Sequence, residues 1–347
     1  MKIGKRLLII ILPLALGLGV SLSWIWWNWA ISPPQPVKEA SQKIEISPGT
    51  GTQSIGEQLE KAGIIRSSLA WDLWAKYLRR QNSKGSFKAG TYELSPDESL
   101  PEVAEKIWNG EVVFNSFTIP EGWSLNQMAT YFEEKGFFPK QDFLTAASTI
   151  DRTRYPWIPS DLPNLEGFLY PDTYKIAPGN NTPQVIVEQM LRRFEEVALP
   201  VYQKAKAETS LSLKEWVTLA SIVEKEAVVP NERSLIAGVF TSRLQKGMRL
   251  ESDPTVEYGL GIRQTADKPL TLNQVKTPSP YNTYLKPGLP PTPIAAPGLA
   301  SLQATLYPQE TDYLFFVARY DGTHVFSRTL KEHEAAVVKI RQERTAR

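Results

Sequence analysis

Residues Leu7 to Ile31 form an unbroken run of 25 residues without a charged side chain, dominated by Leu, Ile, Trp and Gly. As a helix, such a run suffices to cross a hydrocarbon core of ~30 Å, and few other folds can absorb it. Lys2, Lys5 and Arg6 precede it, whereas the first charge beyond it is Lys38. The bias of basic residues toward the cytoplasm predicts an inner tail at 1–6, a single-pass transmembrane span at 7–31 and the remainder outside. Trp24, Trp26, Trp27 and Trp29 crowd the outer end, where aromatic rings suit the headgroup level. The run is longer than the roughly 7–15 apolar residues of a cleavable signal peptide and no A-x-A site follows, so it reads as a retained anchor in the lipid bilayer. Pro33, Pro34 and Pro36 make 32–43 a stiff, extended linker.

At 347 residues the chain has room for two domains beyond the anchor, and 42% apolar content is ordinary for globular protein. Its 39 basic and 37 acidic residues nearly cancel, and no long basic run occurs, which argues against a nucleic-acid partner. The absence of cysteine removes disulfides, thiolate metal sites and cysteine nucleophiles from consideration.

A shift of 73 residues aligns Ile46 to Gly63 with Ile119 to Gly136 without a gap. Gly49 meets Gly122, Ile55 meets Met128, Leu59 meets Phe132, and both copies close on a glycine followed by an apolar pair. Each copy predicts a short strand, a glycine turn and an amphipathic helix with a C-terminal glycine, hence two small α+β units within 44–150. Between them, Gly90 to Leu94 reads as a strand, Leu100 to Trp108 as a helix and Val112 to Ile119 as a returning strand.

Thr149 to Asn164 reads as a connection, and a second α+β body follows from 151 to 340. A helix is predicted over Pro183 to Val197, and another begins at Ser212, where Glu215 three residues on makes a capping box. Pro230 stops this second helix at or before Val229, and Asn231 is positioned to cap the next one, which runs to Gly247. The sixty residues from Arg249 to Pro308 are dense in Pro, Gly, Asn, Ser and Tyr, a loop-rich stretch of the kind that builds functional sites. A hairpin around Asp321-Gly322 and a helix from Lys331 finish the chain.

Leu219-Ala-Ser-Ile-Val-Glu-Lys-Glu226 ends the capped helix with two carboxylates beside an apolar face. A carboxyl held against apolar surface keeps its proton to higher pH and can serve as a general acid; the plain alternative is a solvated helix end. At about 100° per residue, Glu226 lies about 20° from Leu219 and about 40° from Ile222, whereas Glu224 lies about 160° away on the other edge of the stripe. Lys225 points away with Lys214 and Thr218. One helix cannot easily send both carboxylates into one pocket; the pattern favours Glu226, with Glu224 as the alternative. Glu166, in an aromatic segment, and Asp253, before a proline, are further candidates, each with a turn or cap as its plain reading. His324 and His333 are the only histidines, and neither has a partner at metal-binding spacing. A serine triad built on His324 has no nucleophile-elbow signature behind it.

With these pieces in view, the chain resembles the MltG or YceG-like family of membrane-anchored endolytic murein transglycosylases of bacteria. Several long motifs carry the resemblance in order: Leu165-Glu-Gly-Phe-Leu-Tyr-Pro-Asp-Thr-Tyr174, the octapeptide ending at Glu226, Ser252-Asp-Pro-Thr-Val256, Tyr281-Asn-Thr-Tyr284 and Gly288-Leu-Pro-Pro291. Thr292 stands where the family usually has glycine, and Ala227 where many relatives have Thr or Gly. The resemblance implies a LysM-like module at 44–150, a catalytic domain at 151–340 and Glu226 as the catalytic acid. It further implies a lyase cleaving the β-1,4 bond between N-acetylmuramic acid and N-acetylglucosamine, with 1,6-anhydromuramoyl ends and no metal or other cofactor. Glu166, Ser252, Asp253, Tyr281, Asn282 and Tyr284 become candidates to bind the sugar. Peptidoglycan strands are the implied substrate, peptidoglycan synthases the implied partners, and the outer face of the bacterial cytoplasmic membrane the implied location. A hydrolytic muramidase using Asp253 or Glu166 as second carboxylate and a non-catalytic wall-binding scaffold remain as rivals.

Overall fold

The computed structural model describes residues 3–35, 40–113, 115–176, 181–265 and 268–345. It is a mixed α+β chain in two compact units, the first built from residues up to Ser116 with 175–176, the second from 117–174 and from 181 onward.

In the first unit a helix, α1 (Ile3–Ile31), leads into a two-stranded antiparallel sheet of β1 (Gln42–Ile46) and β2 (Gly90–Leu94) with three helices, α2 (Thr52–Lys61), α3 (Ser68–Gln81) and α4 (Leu100–Asn109). The sheet pairs Ile44 with Tyr92 and Ile46 with Gly90, and strand alternation turns Ile44, Ile46, Tyr92 and Leu94 onto the helices. The C-terminal end of α1 belongs to this core: Ala30 is fully buried, Trp26 and Trp27 pack against it, and Trp27 meets Trp74 at 6.4 Å between ring centroids. Arg66 donates to the Pro33 and Pro34 carbonyls and lies over the Trp29 ring, which fixes the exit of the chain from α1. Among the described residues no helix is long and apolar enough to cross a membrane. Side chains before Leu16, which include the start of the expected span and its basic flank, lie outside those described, as do Pro36 and Lys38.

The second unit contains the paired ends of β3 (Asn115–Thr118) and β4 (Thr173–Ile176), with α5 (Leu125–Glu134) and α6 (Lys140–Ser148) between them in sequence. Phe117 stacks on Tyr174 at 5.1 Å and meets Phe132 of α5 edge-on at 5.0 Å. The 73-residue repeat is visible in the backbone. Gly49 and Gly122 share positive φ (84° and 76°), as do Gly63 and Gly136 after the helices (71° and 72°), a conformation that glycine adopts without a Cβ clash. Ile55, Leu59, Met128 and Phe132 are all buried, and Ile64 and Phe137 each donate to the carbonyl five residues back. The second copy packs with the second unit through these aromatic contacts.

The connection at 149–164 forms turns closed by Trp157, which stacks on Phe194 of α7 (Pro183–Val197). After α8 (Leu199–Ala205) comes α9 (Leu213–Glu226), capped by the expected Ser212 and Glu215 box and buried at every position from Trp216 to Val223. The sequence reading of a polar side with Thr218 is thus corrected. Thr218 is buried and donates to Lys214 O, because α10 (Arg233–Gln245), α11 (Asp253–Leu260) and α13 (Leu299–Leu306) all pack around α9. Asn231 does not cap α10: Pro230 opens a 3-10 turn over Pro230–Glu232 that runs straight into it. The loop-rich stretch holds α11, α12 (Leu272–Val275) and α13. β5 (Phe315–Ala318) and β6 (His324–Ser327) form the expected hairpin, followed by α14 (Leu330–Thr345).

Candidate active site

α9 stops at Ala227, whose extended backbone (ψ 107°) turns the chain away before Pro230 and leaves Glu226 as the last helical residue. Across from it, Ser252 begins α11 and donates its hydroxyl to Glu226 Oε1 at 2.6 Å. Ser252 is itself held from three directions. Its N–H donates to Thr283 Oγ1 at 3.0 Å, its carbonyl accepts from Thr255 Oγ1 at 2.6 Å, and Thr255 and Thr283 share a hydrogen bond at 2.8 Å. Glu251, one residue earlier, has the left-handed φ of 54°, uncommon for a residue with a Cβ. The buried guanidinium of Arg243 supports that turn, donating to the Arg249 and Leu250 carbonyls and pairing with Glu251 at 3.1 Å.

Glu226 opens onto a cleft of about 830 Å³ whose walls include Lys225, Glu251, Asp253, Gln264, Tyr284, Phe316 and His324. Burial pushes the Glu226 carboxyl up to about 7; the Ser252 hydrogen bond opposes this, and the negative charges of Asp253 and Glu257 reinforce it against a smaller effect of Lys225. A carboxyl with that value holds its proton near neutral pH and can both give and take it. Asp253 accepts from Tyr284 Oη at 2.7 Å and from Gln264 Nε2 at 3.3 Å, which keeps a fixed anionic group on the same wall.

Glu224 faces elsewhere, as its helical angle requires. Its Oε2 accepts from Gly298 N at 3.1 Å and Ser301 Oγ at 2.7 Å, closing the N-terminus of α13. A Cβ at Gly298 would fall 1.9 Å from Glu121 Oε1, so a second carboxylate crowds that end. Burial, and then the charge of Glu224, raise the Glu121 pKa.

Of the sugar-binding candidates, the structure brings Ser252, Asp253 and Tyr284 to Glu226 or its cleft. It does not bring Glu166, Tyr281 and Asn282 to that wall among the described residues. Glu166 is buried and accepts from Leu125 N and from Tyr258 Oη at 2.8 Å; burial pushes its carboxyl up to about 7, against the hydrogen bond from Tyr258. Asn282 donates to the Val275 and Thr277 carbonyls and accepts from Tyr284 N, so its amide closes the loop. Tyr281 shares a hydrogen bond with Thr292 at 2.9 Å. Thr292 lies outside the residues of positive φ, so the position tolerates a side chain, and its hydroxyl is satisfied by Tyr281 and Pro293 O. Sequence reasoning missed Gln264 and the pairing of His324 Nδ1 with Glu232 at 2.7 Å, since neither belongs to a local pattern.

Comparison with known proteins identifies the family. The YceG-like family profile matches residues 44–339. The chain is 32% identical over 318 residues to an endolytic murein transglycosylase of Bacillus subtilis (strain 168), covering 87% of this chain and 86% of that protein. It is 32% identical over 337 residues to an endolytic murein transglycosylase of Streptococcus pneumoniae (strain D39), with 87% of this chain and 59% of the relative covered. A yceG-like protein of Listeria monocytogenes, known from a crystal structure, superposes with a TM-score of 0.58 at 33% identity, covering 86% of this chain and all of that one. With the family profile matching most of the chain and a relative at 32% identity covered over most of its length, the chain belongs to the YceG-like family.

Proposed function

We propose that this protein is an endolytic murein transglycosylase, a lyase that cleaves the β-1,4 bond from N-acetylmuramic acid to N-acetylglucosamine within peptidoglycan strands. One observation carries the reading: a single carboxyl, Glu226, holds a proton near neutral pH at the wall of a cleft large enough for sugars. Protonated Glu226 donates to the leaving glycosidic oxygen as the bond to the anomeric carbon breaks. The muramic acid C6 hydroxyl then attacks that carbon and returns its proton to the Glu226 carboxylate. The product is a 1,6-anhydromuramoyl end, no water is consumed, and the acid is regenerated. Attack from within the same sugar exploits proximity, which makes a second carboxylate nucleophile unnecessary.

Asp253, Gln264 and Tyr284 orient the sugar along the cleft, the fixed charge of Asp253 also favouring positive charge at the anomeric carbon. Glu166, Tyr281 and Asn282 act behind the wall by holding α5, α11 and the 275–284 loop in place. In the same reading, residues 1–6 are an inner tail and 7–31 a membrane anchor, followed by a linker, a LysM-like module and the catalytic part, with the cleft on the wall side of the cytoplasmic membrane. Synthases that extend glycan strands are the partners that such a location favours.

Asp253 beside Glu226 is also what a hydrolytic muramidase would need. Mass analysis of muropeptides from purified glycan decides between them. Anhydro ends produced by the wild type and lost in Glu226→Gln support the transglycosylase, reducing ends the muramidase. Undiminished cleavage by a folded Glu226→Gln protein removes Glu226 from the chemistry, and no cleavage by either protein leaves the scaffold.

A further inference from the structure

α3 presents an unusual face. Leu69, Leu73 and Tyr77, spaced four apart, are 61%, 42% and 48% exposed, while Ala70, Trp71 and Ala75 on the other side are buried. At about 100° per residue Leu73 and Tyr77 lie about 40° and 80° from Leu69, and Lys76 and Arg80 fall within about 20° of it. The exposed face is therefore apolar and basic together, and Asp72 is the only acid in α3. A helix with that mixture suits the plane of a bilayer interface, the apolar side chains entering the acyl boundary and the long basic ones reaching anionic headgroups.

This face adjoins α1. Trp74 links the two helices, 6.4 Å from Trp27 and 5.1 Å from Tyr77 between ring centroids. The α1 residues Leu22, Trp24, Ile25 and Trp29 are exposed in turn, and of these Trp24 lies about 60° around the helix from Trp27, on the side toward α3.

We propose that the Leu69, Leu73 and Tyr77 face of α3 docks on the surface of an anionic bilayer beside the emerging α1. The proposal rests on the reading of α1 as a membrane anchor, and its consequence is that the first unit lies against the membrane instead of swinging free above it. Anchor and dock then act on one molecule, so a weak surface affinity is raised by tethering.

The chain has no cysteine, so single introduced cysteines report one position each. The full chain carrying Leu73→Cys, labelled with a fluorophore, is reconstituted in phosphatidylcholine and phosphatidylglycerol vesicles containing either a headgroup-level or a chain-level spin label. Val20→Cys tests the anchor and Glu57→Cys serves as an exposed reference on α2. The expected result is quenching of the Leu73 label by the headgroup spin label and its protection from aqueous iodide, with Glu57 open to iodide. Lys76→Gln with Arg80→Gln shifts the docked population toward the undocked by about five-fold per basic residue removed, since each such residue near an anionic surface contributes a factor of that order. A Leu73 label open to iodide while the Val20 label is quenched in the chains overturns the docking and leaves the anchor standing. A Leu73 label shielded from iodide without lipid quenching overturns it in favour of a protein contact. A Val20 label that escapes the chain quencher sinks the anchor reading, whatever Leu73 does. Tyr77→Cys repeats the measurement at a second exposed site, and matching thermal unfolding of each variant and the wild type establishes that the fold is kept.

Discussion

Ser252 donates its hydroxyl to Oε1 of Glu226 at 2.6 Å, joining the first turn of α11 to the last residue of α9. The bond favours the ionised carboxyl, against burial, which favours the protonated one. Ser252→Ala removes the opposing effect and also frees the carboxyl to rotate. The alkaline limb of kcat/KM on glycan should move upward from about pH 7, while the plateau below it drops about tenfold through lost orientation. A limb that moves downward would mean that Ser252 stabilises the acid in its protonated form.

The charges around Glu226 give a second pair of signs. Asp253 raises its pKa and Lys225 lowers it. Asp253→Asn should therefore shift the alkaline limb of kcat/KM to lower pH, and Lys225→Met to higher pH. Full pH profiles of both variants, compared with the wild type, check the directions independently of any loss in absolute rate.

Glu224 and Glu226 are two residues apart and do different things. Glu226→Gln should lower glycan cleavage by about 10²–10⁴-fold with little change in melting, as expected for a general acid. Glu224→Ala removes the acceptor for Gly298 N and Ser301 Oγ and should cost about 1–2 kcal/mol of stability, with the rate within a few-fold of wild type below the melting transition. Equal losses of activity in the two variants at a temperature where both are folded would contradict the division of roles.

The same contrast marks what could be read in the sequence. The Ser212 cap, the Pro230 stop and the angle between Glu224 and Glu226 are set by residues within one turn of each other, so spacing gave α9 and the two edges on which its carboxylates lie, while the choice of Glu226 over Glu224 rested on the family resemblance. The repeat glycines were legible because positive φ at a helix end leaves a local signature. α3 and α6 were overlooked, and α11 was hidden because Ser252-Asp-Pro reads equally as a turn and as a helix start. Contacts such as Tyr258 to Glu166, 92 residues apart, leave no local trace. The motif around Asn282 was informative about place but silent about direction: its amide points into the loop, while Tyr284 two residues on faces the cleft.

Asn282 tests that distinction directly. It is fully buried, with its amide engaged by Val275 O, Thr277 O and Tyr284 N. Asn282→Ala leaves those groups without partners and should cost about 2–3 kcal/mol. Because the loop carries Tyr284 and Thr283, KM should rise only as the loop loosens. A normal melting temperature together with a large rise in KM would mark Asn282 as a sugar ligand instead.

Glu166 should make stability depend on pH. Burial raises its carboxyl from 4.5 to about 7 in the folded chain. Below about pH 4.5 both states hold the proton, and the group adds no pH dependence. Between those values the unfolded chain releases its proton and the folded chain keeps it, so stability falls as pH rises, by about 3 kcal/mol in all once the folded group also ionises. Glu166→Gln can still accept from Leu125 N and has no proton to lose. Urea unfolding of wild type and variant at pH 5 and pH 8 should therefore give a smaller drop for the variant, by up to that amount. Parallel drops in the two proteins would mean that Glu166 ionises in the folded chain as readily as in the unfolded one, and that its hydrogen bonds from Tyr258 and Leu125 offset its burial.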